Sequence, residues 1–377
     1  MTTWLIAAGD FVTQGGMDAA NHGLAQYLSG REDFEVHLVA HRVAADLAAN
    51  PRVRVHHAHR PLGAHRLGEP LLRRVAQRWA ARLQPRGARI VANGANVDAR
   101  DVSWVHYVHA AYTPVAHGGL NNLLVRSAHE RYLRAERDAL RKARLVICNS
   151  RRTADDVVRL AEVEPSRARV VYYGIDSARF RPITTSDRHE GRRALGLDGE
   201  RPLALFAGAL GDRRKGFDTV FDAWRTLCGE GDWDVDLVVA GAGAELRAWR
   251  ARAQQLLPGR RIHFLSFQSD MRPVFAACNV LVHPARYEAY GLAVHEALCC
   301  GIPAIVSRSA GIAERYPASL RALLLEDPDS AADLAARLRA WRNDGAVAPH
   351  VLAFGERLRG RTWDDMGQEM AGLVAAA

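Results

Sequence analysis

Short apolar runs recur along the chain, and most are followed by a stretch patterned at helical period. In the first half Trp4–Ala8, Val36–Ala40, Val53–His57, Ile90–Ala92, Val102–Val108, Leu145–Cys148 and Val170–Tyr173 read as strands. Each is short and bounded by polar or turn-forming residues. Leu71–Leu83 and Leu123–Ala143 read as helices. The second half repeats the pattern, with strands at Leu203–Ala207, Val235–Ala240, Ile262–Phe264, Val280–His283, Ala304–Ser307 and Ala322–Leu325. Strands alternating with helices predict parallel, doubly wound sheets. Two such series in tandem predict an α/β protein of two Rossmann-like domains facing a central cleft. Phe180–Arg201 has no clear apolar period until Leu195 and reads as the linker. The expected domains are therefore residues 1–182 and 183–360, with a last helix within 361–377, near Trp363–Val374. Ligands of such sheets bind beyond the carboxyl ends of the strands. Motifs that follow strands are thus the candidates for chemistry.

The 377 residues are enough for two domains with cores of their own. The start, MTTWLIAAGDF, has no basic segment and no long apolar segment, so no signal peptide is expected. No run of about twenty apolar residues offers a membrane span. The cysteines (148, 228, 278, 299 and 300) are odd in number and lack C-x-x-C spacing. That pattern points to a reducing cytoplasm and away from a disulfide or zinc framework.

Charge is unevenly placed. Residues 1–185 carry 27 basic and 17 acidic side chains, the remainder 24 and 25. A basic first half suits an anionic partner such as a membrane surface, nucleic acid or acidic glycan. It equally suits arginine-rich helices with solvated faces. The stretch Leu123–Leu145, with seven basic residues among Leu and Ala, has that amphipathic look; resting on anionic lipid is its functional reading, a half-buried outer helix the plainer one. The arginines lack the aromatic interleaving of a base-stacking platform, so nucleic acid is not expected. Of 51 basic residues only Lys142 and Lys215 are lysine. Lys215 lies in Asp212-Arg213-Arg214-Lys215-Gly216, after the strand Leu203–Ala207. An ammonium is a compact point charge suited to one phosphate oxygen.

The most informative segment is RYEAYGLAVHEALCCGIPAIVS, Arg286 to Ser307. Glu288 and Glu296 flank Tyr290-Gly291-Leu292. A helix starting near Gly291 would carry Glu296 in its second turn. It would also present the N–H groups of Gly291, Leu292 and Ala293 to a phosphate. This arrangement suits a sugar nucleotide, with Glu288 on sugar hydroxyls and Glu296 on ribose hydroxyls. Two solvated acids in a strand–loop–helix unit are the plainer reading. Gly15-Gly16 follows the first strand and opens a helix, and a tight turn explains it as readily as a phosphate. Gly241-Ala242-Gly243 also follows a strand but lacks the third glycine of a dinucleotide fingerprint. In Trp104-Val105-His106-Tyr107-Val108-His109, strand alternation separates His106 and His109 onto opposite faces. Ser269-Asp270 is explained equally well as a helix cap.

The Glu288–Glu296 segment, with Tyr290-Gly291-Leu292, Gly301-Ile302-Pro303 and Ser307-x-x-x-Gly311, resembles the E-x7-E segment of retaining glycosyltransferases of family 4, which have the GT-B fold. The likeness is clearest over Leu203–Arg315 and patchier before it. It implies sugar transfer from a nucleotide diphosphate sugar as co-substrate, with no cofactor, to a glycan, lipid-linked or small-molecule acceptor. Catalytic roles then fall on His109 (His106 the alternate), Glu288, Arg214 and Lys215. Donor-binding roles fall on Gly15, Gly16, Arg213, Gly243, Asp270, Tyr290, Gly291, Leu292 and Glu296. The family's usual arginine after the glycine is Ala209 here, so Arg214 or Arg213 takes its place. The last helix is expected to cross back onto the N-terminal domain. The resemblance implies front-face attack without metal, and Asp232-Trp233-Asp234 reads as a solvated turn because it precedes its strand. The expected location is cytoplasmic, or peripheral at the inner face of the membrane. An epimerase or phosphorylase of the same fold, and a non-enzymatic anion- or nucleic-acid-binding module, are the rival readings.

Overall fold

The structure, a computed structural model, describes residues 1–98, 101–114, 119–197, 199–256 and 261–377. The chain divides into two compact units. One comprises Met1–Gly174 with Arg361–Ala377, the other Ile175–Gly360. Both are α/β units built on a parallel sheet, the two Rossmann-like domains expected from the pattern.

In the first unit the sheet runs Val53–His57, Phe34–Ala40, Thr2–Ala7, Arg89–Asn93, Val102–Val105, Leu145–Cys148, Ala168–Val170. Strand order therefore reverses between Thr2–Ala7 and Arg89–Asn93, and a ligand crevice forms at such a reversal. Alternate side chains of one face, Leu5, Ala7, Val39 and Ile90, pack on Leu72, Ala76 and Ala80 of the helix His65–Leu83. The helix Gly16–Ser29 follows the first strand. The last helix, Trp363–Ala376, packs in this unit, and a methyl group on Gly23 would lie 3.0 Å from the Trp363 ring. The chain leaves the unit at Gly174, whose backbone lies so close to Thr362 that a Cβ would be 2.1 Å from its carbonyl oxygen.

The second sheet runs Ile262–Ser266, Asp236–Ala240, Leu203–Ala207, Val280–His283, Ala304–Ser307, Leu324–Leu325. Its reversal lies between Leu203–Ala207 and Val280–His283. The central strands are continuous apolar runs because both faces are covered.

Several expected boundaries shift. The expected linker Phe180–Arg201, of which residue 198 lies outside the described residues, contains the helix Thr185–Ala194. A Thr184–Asp187 capping box starts it. Its buried positions are Gly191 and Arg192, so no apolar period betrays it. A Cβ on Gly191 would lie 2.6 Å from the Pro273 carbonyl oxygen. The strand expected through Val108 stops at Val105, and His109–Ala111 forms a 3-10 turn. No helix among the described residues is long and apolar enough to cross a membrane.

Candidate active site

In the second unit, two loops at the sheet reversal are zipped together by backbone contacts. The Arg286 N–H donates to the Arg214 carbonyl at 2.7 Å. Arg286 Nη1 donates to the Arg213 carbonyl at 2.6 Å, and its guanidinium also binds Asp218. Gly216 (φ 73°) lies against Pro284, where a Cβ would be 2.0 Å from the carbonyl oxygen. Only glycine fits that crossing. The consequence is chemical: Lys215 Nζ comes to 2.7 Å from Glu288 Oε2. His283, at the end of its strand, donates from Nε2 to the same oxygen at 3.0 Å. Burial alone would raise the Glu288 carboxyl, but Lys215 and His283 outweigh it and hold it well below the usual carboxylate range.

The next segment is fixed from its other side. The Gly311 N–H donates to the Glu288 carbonyl at 3.0 Å, and that of Ile312 to the Tyr290 carbonyl at 2.7 Å. Gly291, at φ 106°, caps the helix Leu292–Cys299. The first-turn N–H groups that a helix leaves unused thus start beside Glu288. Glu296 lies in the second turn, where burial pushes its carboxyl up to about 8 against the pull of Arg179. No described side chain makes a hydrogen bond to it. Arg179 pairs instead with Asp270 at 2.7 Å. The Tyr290 side chain is buried, its hydroxyl accepting from Arg315 Nη1 at 2.9 Å and 2.9 Å from His295 Nδ1. Its hydroxyl braces the loop, and the backbone is the part left at the site.

The expected cations differ in how they are held. Arg214 grips Asp212 through Nε (2.9 and 3.0 Å) and Nη2 (2.6 Å). Arg213 is more than half exposed and reaches Asp218 only at 3.3 Å. Asp212 caps the 3-10 turn Arg213–Lys215 by accepting the Arg214 N–H. Gly241 and Ala242 extend the sheet ladder past the strands, the Gly241 N–H donating to the Ser266 carbonyl at 2.9 Å. Leu210 N–H donates to the Ala242 carbonyl at 2.9 Å, and a Cβ on Gly243 would lie 1.7 Å from the Leu210 carbonyl oxygen. Close backbone packing within the unit therefore demands that glycine. Asp234 of the D-x-D pairs with Arg342 across 2.9 Å.

The first unit holds its own constellation at its reversal. His109 Nδ1 donates to Glu136 Oε1 at 2.9 Å, and its N–H to Oε2 at 2.9 Å. Glu136 is buried, on the helix Gly119–Lys142. Among the described residues no hydrogen bond takes the second ring nitrogen of His109. His106 is buried against the Tyr173 hydroxyl, and burial pushes its imidazole down to about 3. Both histidines line a cavity of about 440 Å³. Gly15, at φ 86°, begins the helix Gly16–Ser29 without a side-chain cap. Sequence reasoning missed Glu136, His283, Asp212 and Arg179. Glu136 stands in a charge-rich helix, and only its burial separates it from its solvated neighbours.

Known proteins share this organisation. Residues 187–359 match the family model described as "Glycosyl transferases group 1", and residues 14–179 that of "Glycosyltransferase Family 4". The chain is 30% identical over 294 residues to the D-inositol 3-phosphate glycosyltransferase of Xylanimonas cellulosilytica, covering 74% of this chain and 67% of that one. Against the protein of the same description from Mycobacterium marinum it is 29% identical, covering 70% of this chain and 62% of the relative. The match thus spans less than two thirds of that relative's length. Among solved structures, Anabaena Alr3699/HepE in complex with UDP-glucose aligns over 100% of both chains, with a TM-score of 0.73 and 20% identity.

Proposed function

The chain belongs to the group 1 glycosyltransferases of family 4, with the GT-B fold, and from that premise we propose that it transfers a sugar from a nucleoside diphosphate sugar to a hydroxyl of a small acceptor. The observation that carries the reading is the Lys215–Glu288–His283 cluster beside the start of the helix Leu292–Cys299. It sets a fixed ammonium, an ionised carboxylate and helix N–H groups side by side. A diphosphate needs the first and third, a sugar hydroxyl the second.

In this reading Lys215, Arg213 and Arg214 meet the diphosphate charge without a metal ion, and the loop Tyr290–Leu292 presents backbone N–H groups to it. Glu288 accepts hydrogen bonds from sugar hydroxyls. Glu296 receives the ribose hydroxyls; with its carboxyl pushed up to about 8, its protonated form donates as well as accepts. Asp270 and Gly243 complete the nucleotide side, Gly15 and Gly16 the phosphate side of the first unit. His109, its ring fixed by Glu136, orients the donor sugar.

The reaction retains anomeric configuration by front-face attack. The bond from the anomeric carbon to the diphosphate oxygen breaks, and its electron pair passes to the diphosphate. The acceptor oxygen bonds to the same face of the oxocarbenium-like centre, and its proton passes to the departing phosphate oxygen. Stabilisation of the leaving charge by fixed cations and dipoles supplies the rate enhancement. UDP-sugars are the first donors to try, since Alr3699/HepE holds UDP-glucose.

The test is incubation of the protein with UDP-, GDP-, ADP- and dTDP-sugars and a panel of polyols, followed by nucleotide release and mass spectrometry. Release of one nucleoside diphosphate matched by a glycoside of retained configuration supports the reading. Conversion of donor alone to its epimer supports the epimerase instead. Absence of any turnover counts against enzymic sugar transfer.

A further inference from the structure

The cavity of the first unit has an unusual wall. Among residues that line it, Asp10 Oδ1, Asn93 Oδ1, Trp104 Nε1, His106 Nε2 and the Tyr132 hydroxyl are buried without a hydrogen-bond partner. Buried polar atoms are nearly always paired. So many orphans around one space mark it for a ligand that is itself rich in hydroxyls. Its volume, about 440 Å³, is at the smaller end of ligand sites. That suits one or two rings and excludes burial of a polymer.

The wall is also short of positive charge. Asp10, Asp18, Glu69 and Glu136 line the cavity, with Arg60 as the one guanidinium among the described lining residues. Asp10 Oδ2 is taken by Arg42 at 2.7 Å and Arg60 at 3.3 Å, and Glu136 by His109. Asp18 and Glu69 have no ion pair or hydrogen bond among the described residues. Burial and the neighbouring Asp10 push the Asp18 carboxyl up to about 6, against the pull of Arg42 and Arg60. A carboxylate raised in this way is stabilised by an arriving cation.

We propose that the acceptor is a cyclic polyol carrying an amino group, its ammonium received by Asp18 and its hydroxyls by the orphan atoms of Asn93, Trp104, His106 and Tyr132. The proposal rests on the reading of sugar transfer to a hydroxyl. A phosphorylated polyol is the contrary case, because an adjoining depression of about 460 Å³, which shares His41 and Arg60 with the cavity, is lined also by Arg42, His57 and His59. Both of its arginines, however, are already engaged by Asp10.

Calorimetric binding of 2-deoxystreptamine, myo-inositol and myo-inositol 1-phosphate to the full chain, with and without UDP, tests the proposal. The amine is expected to bind at least tenfold more tightly than inositol, and the phosphate most weakly. Asp18→Asn should weaken the amine at least fivefold and inositol less than twofold, with Glu69→Gln as a second variant. The wild-type ranking decides even if Asp18→Asn does not fold. Equal or tighter binding of inositol or the phosphate, an amine preference intact in Asp18→Asn, or no binding of the three probes with or without UDP, overturns it. No donor sugar is used, so such a failure leaves glycosyl transfer to be judged by the turnover assay.

Discussion

Lys215 Nζ lies 2.7 Å from Glu288 Oε2, although 73 residues separate the two in the chain. The contact is made by loops, and both are held by backbone rather than by the ion pair itself. The pair is a consequence of the crossing at Gly216 and Pro284, and its members are available to a ligand that offers either charge a better partner.

Removing the ammonium should therefore be costly twice. Lys215→Ala leaves the partly buried Glu288 with His283 alone. An exposed pair is worth under about 1 kcal/mol and breaking a fully buried one costs about 3–5 kcal/mol. Partial burial places this variant near 1–2 kcal/mol, read by urea denaturation. Loss of a fixed cation at the departing diphosphate should lower kcat about a hundredfold or more.

The crossing itself can be probed by its glycine. Gly216→Ala combines a positive φ with a Cβ at 2.0 Å from a carbonyl oxygen. It should destabilise by several times the ~1 kcal/mol expected from φ alone. Gly87→Ala is the control, since Gly87 has the same left-handed conformation (φ 80°, ψ 15°) and its Cβ would meet nothing within 4 Å. Comparable losses in denaturation midpoint for the two variants would contradict the packing argument.

Glu296 gives a pH signature. Its carboxyl is raised in the folded protein, so the stability it contributes is complete below the ordinary carboxyl range, near 4.5. That stability is lost as pH rises toward about 8. Glu296→Gln should flatten the fall in melting temperature across that window and gain most on wild type at its upper end. Parallel pH profiles for the two proteins would show that Glu296 is ionised throughout.

The His109–Glu136 contact makes a kinetic prediction. Glu136→Gln keeps the shape but removes the charge that fixes the imidazole tautomer. A fall in kcat of about tenfold to a hundredfold is expected. Unchanged kcat would reduce Glu136 to a structural role.

Much of this was legible in the chain before its fold. Rossmann-like sheets announced themselves because parallel strands buried on both faces are unbroken apolar runs. Glu288, Gly291 and Glu296 stood out because loop, helix start and helix turn are consecutive in sequence. Lys215 stood out because lysine is so rare here. What stayed hidden depends on how the loops bend and on which side chains they bring together, at separations of 2, 5 and 27 residues. The Asp212 grip on Arg214, the His283 bond to Glu288 and the Glu136 bond to His109 leave no periodic trace. The helix Thr185–Ala194 was hidden for another reason, since it packs through glycine and an arginine stem where apolar residues would have signalled a buried face.

The central claim is that one nucleoside diphosphate sugar binds at the Lys215–Glu288 loops and Glu296. Isothermal titration of wild type, Lys215→Ala and Glu296→Ala with UDP-, GDP-, ADP- and dTDP-sugars measures it directly. The account predicts saturable binding of one nucleotide class by wild type, weakened at least tenfold in each variant that circular dichroism shows to be folded. Binding of equal strength in all three proteins, or none to wild type, would contradict it.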